Sequence, residues 1–212
     1  MKLTTYIFDL DETLYPINQE SLNRRVHYYT QTIQEQLNIE SYEEAQEIGH
    51  QFYKKYGTTY AGLVAETGIS FEEFHSFSKK WDYTEFHEED KELEELIKKL
   101  EGKKYIYSAG HKDHVEKVLD AIGVDINIFD GVFSNDDGNT LNPKPQKPTQ
   151  EIFIDKYNID KSTIIFLDDS LSCIKSSHED GWNKCILVNH GKKIDTYHEQ
   201  TPSVKEYLRS II

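Results

Sequence analysis

The chain has 212 residues, 37% of them hydrophobic and 29% charged, with a formal net charge of −14. That length fits one core carrying a small insertion, because single cores stop growing near roughly 250 residues; no apolar run approaches the roughly 20 residues that span a bilayer. The acidic surplus repels nucleic-acid phosphates and anionic lipid headgroups, which argues against a nucleic-acid polymer or a membrane as partner.

In chain order, residues 3–9 predict a short buried strand, since Tyr6, Ile7 and Phe8 are apolar and β-prone over too few positions for a helix. No long apolar region or small-residue cleavage site accompanies it, so a secretory signal is not expected. The two cysteines, Cys173 and Cys185, cannot form a disulfide framework, and a reducing cytoplasm is the simplest location.

From residue 18 to residue 80 the pattern becomes helical, with Val26, Tyr29, Ile33 and Leu37 at helical spacing. Gly57, Gly62 and Gly68 mark expected breaks, and Ser41 followed by Glu44 has the form of a capping box. This block has the character of an insertion, giving a core over 1–17 and 81–212 and a helical unit over 18–80.

After residue 88, Leu93, Leu96, Ile97 and Leu100 define one face of a surface helix. Alternation then resumes: strands at 104–108, 131–134, 163–167 and 184–188, and helices at 113–122, 149–157 and 171–180. Residues 135–146, rich in Asn, Asp, Gly and Pro, predict a loop. Strands alternating with helices imply an α/β fold, a doubly wound and mainly parallel sheet covered on both faces. In such sheets chemistry gathers beyond the carboxyl ends of the strands.

Polar residues stand at three of those ends: Asp9 and Asp11, Ser108, and Asp168 with Asp169. Lys147-Pro148 precedes a predicted helix. Singly each has an ordinary explanation: an aspartate at a strand end caps a turn or helix, Ser108 closes a turn, and Lys147 is a solvated lysine. Their order and placement together point to a site.

Phe8-Asp9-Leu10-Asp11-Glu12-Thr13-Leu14-Tyr15-Pro16, Tyr107-Ser108-Ala109, Lys147-Pro148 with Phe153 after it, and Phe166-Leu167-Asp168-Asp169-Ser170 resemble the four ordered signatures of haloacid dehalogenase-like phosphatases. The stretch 53–63, within the helical block, resembles the pyrimidine 5'-nucleotidase-like branch. The resemblance implies a doubly wound core with a helical cap inserted after the first strand. It implies Asp9 as the nucleophile that forms an aspartyl-phosphate, and Asp11 as the acid that protonates the leaving alcohol and then activates water. It further implies Mg²⁺ held by Asp9, the backbone carbonyl of Asp11, and Asp168, with Asp169 acting directly or through water. Ser108, the backbone from Ala109 onward, and Lys147 would bind phosphate. Lys147 is chosen over Lys144 because it stands six residues before Phe153.

A charge argument supports the cation independently. Like charges about 4 Å apart repel by roughly 4 kcal/mol at an effective dielectric of 20, and four carboxylates beside a phosphate dianion multiply that cost. Oxygen-only ligands beside a phosphate favour Mg²⁺. The expected partner is a small phosphate ester, with pyrimidine nucleoside 5'-monophosphates as the favoured class.

Ala109, Cys173 and Ala61 depart from residues common in the family, which are Asn, Asn or Asp, and in some relatives Arg. Neither cysteine reads as a catalytic thiol; both read as small buried hydrophobes. His111 follows the phosphate signature and stands where it would contact substrate, while the nine histidines show no zinc-like spacing. Tyr15, Tyr56, Tyr60, Trp81 and Tyr83 are candidates to stack a base or to pack the interior. The alternatives are haloacid dehalogenation, a sugar-phosphate phosphatase or mutase, and a catalytically silent binding protein on the same fold.

Overall fold

Short apolar runs separated by helices can bury both faces of each strand only in a covered parallel sheet, and that is what the computed structural model, which describes residues 4–78, 84–138 and 142–212, contains. The strands are β1 (Thr5–Phe8), β2 (Lys103–Tyr107), β3 (Gly131–Phe133), β4 (Ile164–Asp168), β5 (Lys184–Val188) and β6 (Glu199–Thr201). They form one six-stranded sheet in the order β3-β2-β1-β4-β5-β6, every pairing parallel.

The period of two along each strand divides the core. Tyr6, Phe8, Ile106 and Leu167 join one cluster with Leu93, Val115 and Leu208. Ile7, Tyr105, Tyr107, Ile164 and Phe166 join the other with Phe153, Ile174 and Trp182. The covering helices are α5 (Lys91–Lys99), α6 (Lys112–Ala121), α7 (Lys147–Tyr157), α8 (Leu171–Glu179) and α9 (Val204–Ile211). Strand β6 and helix α9 lie beyond the last element expected from the sequence. Helix α7 starts two residues earlier than expected, so Lys147 opens the helix and Pro148 occupies its first turn, where a missing N–H costs nothing.

Between β1 and α5 the described residues include four inserted helices, α1 (Gln19–Leu37), α2 (Tyr42–Tyr56), α3 (Thr59–Thr67) and α4 (Phe71–Ser78). Asn18 caps α1 by accepting from the backbone N–H groups of Glu20 and Ser21, at the residue where the sequence pattern changes. The residue 80/81 boundary lies outside the described residues. Ser41 caps α2 as its motif predicts. Gly57 and Gly68 end α2 and α3 in the left-handed region. Gly62 does not break a helix: it sits inside α3, where a Cβ would lie 2.3 Å from Cβ of Phe52. It is there for close packing between α2 and α3. The insertion has its own core, including Ile33, Phe52, Tyr60, Leu63 and Phe74.

Candidate active site

Because β1 is flanked in parallel by β2 and β4, with Phe8 level with Ile106 and Leu167, the residues that follow all three strands meet at one edge. Asp9 extends the ladder by donating its N–H to the carbonyl of Leu167 at 3.0 Å. Its Oδ1 accepts from Lys144 Nζ at 2.6 Å, and its Oδ2 accepts from Thr13 Oγ1 at 2.8 Å. The same Thr13 oxygen accepts from the backbone N–H of Asp169 at 3.0 Å. One threonine thus ties the β1 loop to the β4 loop.

Lys144, not Lys147, is the lysine at this centre. Its Nζ lies 2.7 Å from Asp168 Oδ2 and donates to the carbonyl of Tyr107 at 2.8 Å. Lys147 stands on the outer face of α7, exposed, with its Nζ 3.8 Å from Glu151 one turn on. The sequence count to Phe153 fails because Lys147 already belongs to the helix, whose first turn points it to solvent. The segment before it, with Lys144 between Pro143 and Pro145, runs back over the strand ends.

Asp9, Asp168 and Asp169 bring carboxylate oxygens within 4.8 Å of one another. Burial, reinforced by Asp168 and only partly offset by Lys144, pushes Asp9 up to about 7. Burial together with Asp9 and Asp168 pushes Asp169 up to about 8. One lysine does not balance this cluster, and an all-oxygen donor set of this kind fits a hard cation such as Mg²⁺.

Asp11 is in the opposite electrostatic situation. Its Oδ1 accepts from Tyr15 O–H at 2.6 Å, and His114 Nε2 lies 2.8 Å from Oδ1 and 3.0 Å from Oδ2. Arg25 of α1, paired with Glu12, stands 3.9 Å from Oδ1. Burial opposes ionisation, but His114, Arg25 and Tyr15 outweigh it and hold this carboxyl well below the usual range.

Ser108 is buried after β2, its Oγ accepting from the N–H of Gly110 at 2.9 Å. Ala109, Asp169 and His111 line, with Asp9 and Asp11, a cavity of about 340 Å³. That size is at the small end for ligand pockets. The helical insertion supplies its far wall through Arg25, Tyr29, Tyr60 and Phe74. Phe74 stacks on Tyr29, with ring centroids 5.5 Å apart, and meets Tyr60 at 4.6 Å.

Of the aromatic candidates among the described residues, only Tyr60 faces this cavity. Tyr15 packs on His87 with ring centroids 4.3 Å apart and turns its hydroxyl to Asp11; Tyr56 donates to Glu66. Trp81 and Tyr83 lie outside the described residues. Cys173 and Cys185 are buried free thiols. Thr13, Arg25, Lys144 and His114 carry contacts that were given no role from sequence. Lysine between two prolines was a signal for one of them; Arg25 and His114 became legible only once the fold had joined distant segments.

A family model described as haloacid dehalogenase-like hydrolase matches residues 3–176. No curated protein matches the chain significantly in sequence. Among solved structures, a HAD phosphatase from Thermococcus onnurineus is 19% identical with a TM-score of 0.65, covering 99% of this chain and 97% of that one. L-2-haloacid dehalogenase from Xanthobacter autotrophicus is 13% identical with a TM-score of 0.60, over 99% and 98%. YfnB from Bacillus subtilis, bound to magnesium and described as revealing interdomain movement, is 19% identical with a TM-score of 0.58, over 100% and 99%. Likeness at these identities shows the fold alone.

Proposed function

This chain belongs to the haloacid dehalogenase-like hydrolases, and on that premise we propose that it is a magnesium-dependent phosphohydrolase of small phosphomonoesters. The reading is carried by the cluster of Asp9, Asp168 and Asp169 around a buried Lys144. Displacing a halide from carbon requires neither a site for a divalent cation nor an acid beside the nucleophile. Transfer from a phosphate dianion calls for both.

Asp9 is the nucleophile: Thr13 and Lys144 hold its two oxygens while one attacks phosphorus and the ester P–O bond breaks. Lys144 offsets charge on the transferring oxygens, and Ser108 with the backbone that follows it receives them. Asp11, ionised in the free site under His114, Arg25 and Tyr15, takes up a proton as the phosphate dianion binds beside it and raises its affinity for one. It passes that proton to the departing alcohol, then takes a proton from the water that opens the aspartyl-phosphate, releasing phosphate and regenerating Asp9. Magnesium, when bound by Asp9, Asp168, Asp169 and the carbonyl of Asp11, supplies charge neutralisation for nucleophile and phosphoryl group.

The helical insertion acts as a cap that chooses the leaving group. The aromatic wall of Tyr29, Tyr60 and Phe74, together with the resemblance of residues 53–63, supports a pyrimidine nucleoside 5'-monophosphate as the favoured class. The test is kcat/KM, under one Mg²⁺ condition, for p-nitrophenyl phosphate, UMP, CMP, AMP, GMP, glucose 6-phosphate and a 2-haloacid. Phosphate esters should be hydrolysed, with UMP and CMP ahead. A lead by purine nucleotides or the sugar phosphate removes the nucleotidase refinement. Haloacid turnover without phosphate release overturns the whole reading.

A further inference from the structure

We propose that His114 is a positioning residue for Asp11, setting the plane of its carboxylate for proton transfer to and from the leaving oxygen; this rests on the phosphohydrolase reading above. The two residues are 103 positions apart, yet His114 Nε2 lies within hydrogen-bond distance of both carboxylate oxygens. Tyr15 reaches Oδ1 alone. Among the described residues, His114 is the only hydrogen-bonding partner of Oδ2. The terminal torsion of an aspartate is broad and roughly two-fold, so one contact at Oδ1 leaves the carboxylate free to rock. The second contact is what fixes its plane.

The chain makes room for this contact. A Cβ at Gly110 would lie 2.5 Å from His114 Cδ2, so the imidazole lies flush against a position where only glycine fits. Helix α6 begins at Lys112, which puts His114 in its first turn. From there it faces the loop after β1, while Gly110 remains in the stretch that follows Ser108. The phosphate-binding loop and the proton-transfer residue are thereby set by one packing contact.

A residue that only supports the fold would affect all substrates alike. A residue that orients Asp11 affects those whose leaving group needs a proton. In kcat/KM, which reports steps through the first phosphoryl transfer, His114→Ala should cost the best alkyl phosphate of the panel between about 10- and 100-fold, as misplacing a reacting group does. p-Nitrophenyl phosphate, whose phenolate leaves readily without one, should lose about tenfold less. His114→Gln, which keeps an N–H donor, should recover part of the alkyl-phosphate rate. Gly110→Ala should reproduce the same selectivity by displacing the ring, and its selective cost should disappear in a His114→Ala background, as expected for two residues acting through one contact.

Equal losses on both substrates in His114→Ala, or none on either, overturn the proposal. If His114→Ala does not fold, the alkyl-to-aryl ratio in His114→Gln and Gly110→Ala decides in the same way. Absence of turnover of any phosphate ester by the unmodified protein would instead remove the phosphohydrolase reading itself, so the two failures are distinguishable.

Discussion

A single ammonium group at Lys144 touches Asp9, Asp168 and the carbonyl of Tyr107, and removing it would leave two buried carboxylates facing each other. Taking one partner from a buried ion pair costs about 3–5 kcal/mol where nothing replaces it. Lys144→Ala should therefore lower kcat on the order of 10²- to 10³-fold, the scale of losing one preorganised electrostatic contact, and lower the thermal midpoint in metal-free buffer. Lys147→Ala, whose side chain is solvated beside Glu151, should leave kcat unchanged and stability within about 0.5 kcal/mol. Steady-state kinetics and thermal melts of the pair check this; the reverse ranking would restore Lys147 to the site. Residue identity at strand ends was legible in the sequence for Asp9, Asp11, Ser108, Asp168 and Asp169, because a strand followed by a polar residue fixes position in the fold. The lysine was not, because it is reached through a loop whose path no periodicity reports.

At the scale of elements, the insertion stands on close helix packing as much as on its apolar faces. Gly62 in α3 lies against Phe52 of α2, whose Cβ and Cγ would be 2.3 and 2.5 Å from a new Cβ. The neighbour is the stem of a buried ring and cannot swing away. Gly62→Ala should therefore destabilise the insertion by about 1–3 kcal/mol, the usual cost of overpacking, and raise KM for the preferred ester while core helices stay intact. Hydrogen exchange read separately on α2–α3 and on β1 and β4 would test it; equal loss of protection in both would argue against a local effect. The strands β1, β2, β4 and β5 were legible because each is a short apolar run. Strand β6 was not, since Glu199–Thr201 is a three-residue polar edge held by pairing to β5. Helix α9 carries Val204, Tyr207 and Leu208 on one buried face, a helical period that lies beyond the last element expected from the sequence. Gly62 looked like a breaker because sequence alone cannot separate a glycine needed for its backbone from one needed for its missing side chain.

For the whole molecule, the raised carboxyls predict how stability depends on pH and metal. Burial and repulsion by neighbouring carboxylates push Asp9 up to about 7 and Asp169 up to about 8 in the folded chain, against 3.8 for an ordinary aspartate. At these two groups the folded state then holds more protons than the unfolded one in between, so their contribution to stability falls as pH rises. In EDTA the contribution is fully present below about pH 4 and is lost as pH rises through about 7 to 8. Mg²⁺ should reverse this loss by binding the folded state alone, raising the thermal midpoint at pH 8 in proportion to saturation, and Asp169→Asn should blunt the response. A flat metal-free profile from pH 5 to 8 would contradict the electrostatic account. The central claim, that Asp9 accepts the phosphoryl group, is tested most directly by intact-mass and peptide mass spectrometry of the acid-quenched Asp11→Asn variant after reaction with p-nitrophenyl phosphate and Mg²⁺. With water activation impaired, the account predicts one added phosphoryl group on the peptide containing Asp9, absent when Asp9 is also changed to Asn. Phosphate release by the unmodified protein, with no phosphoryl group on Asp9 in the trapped variant or with the label on another residue, would contradict it.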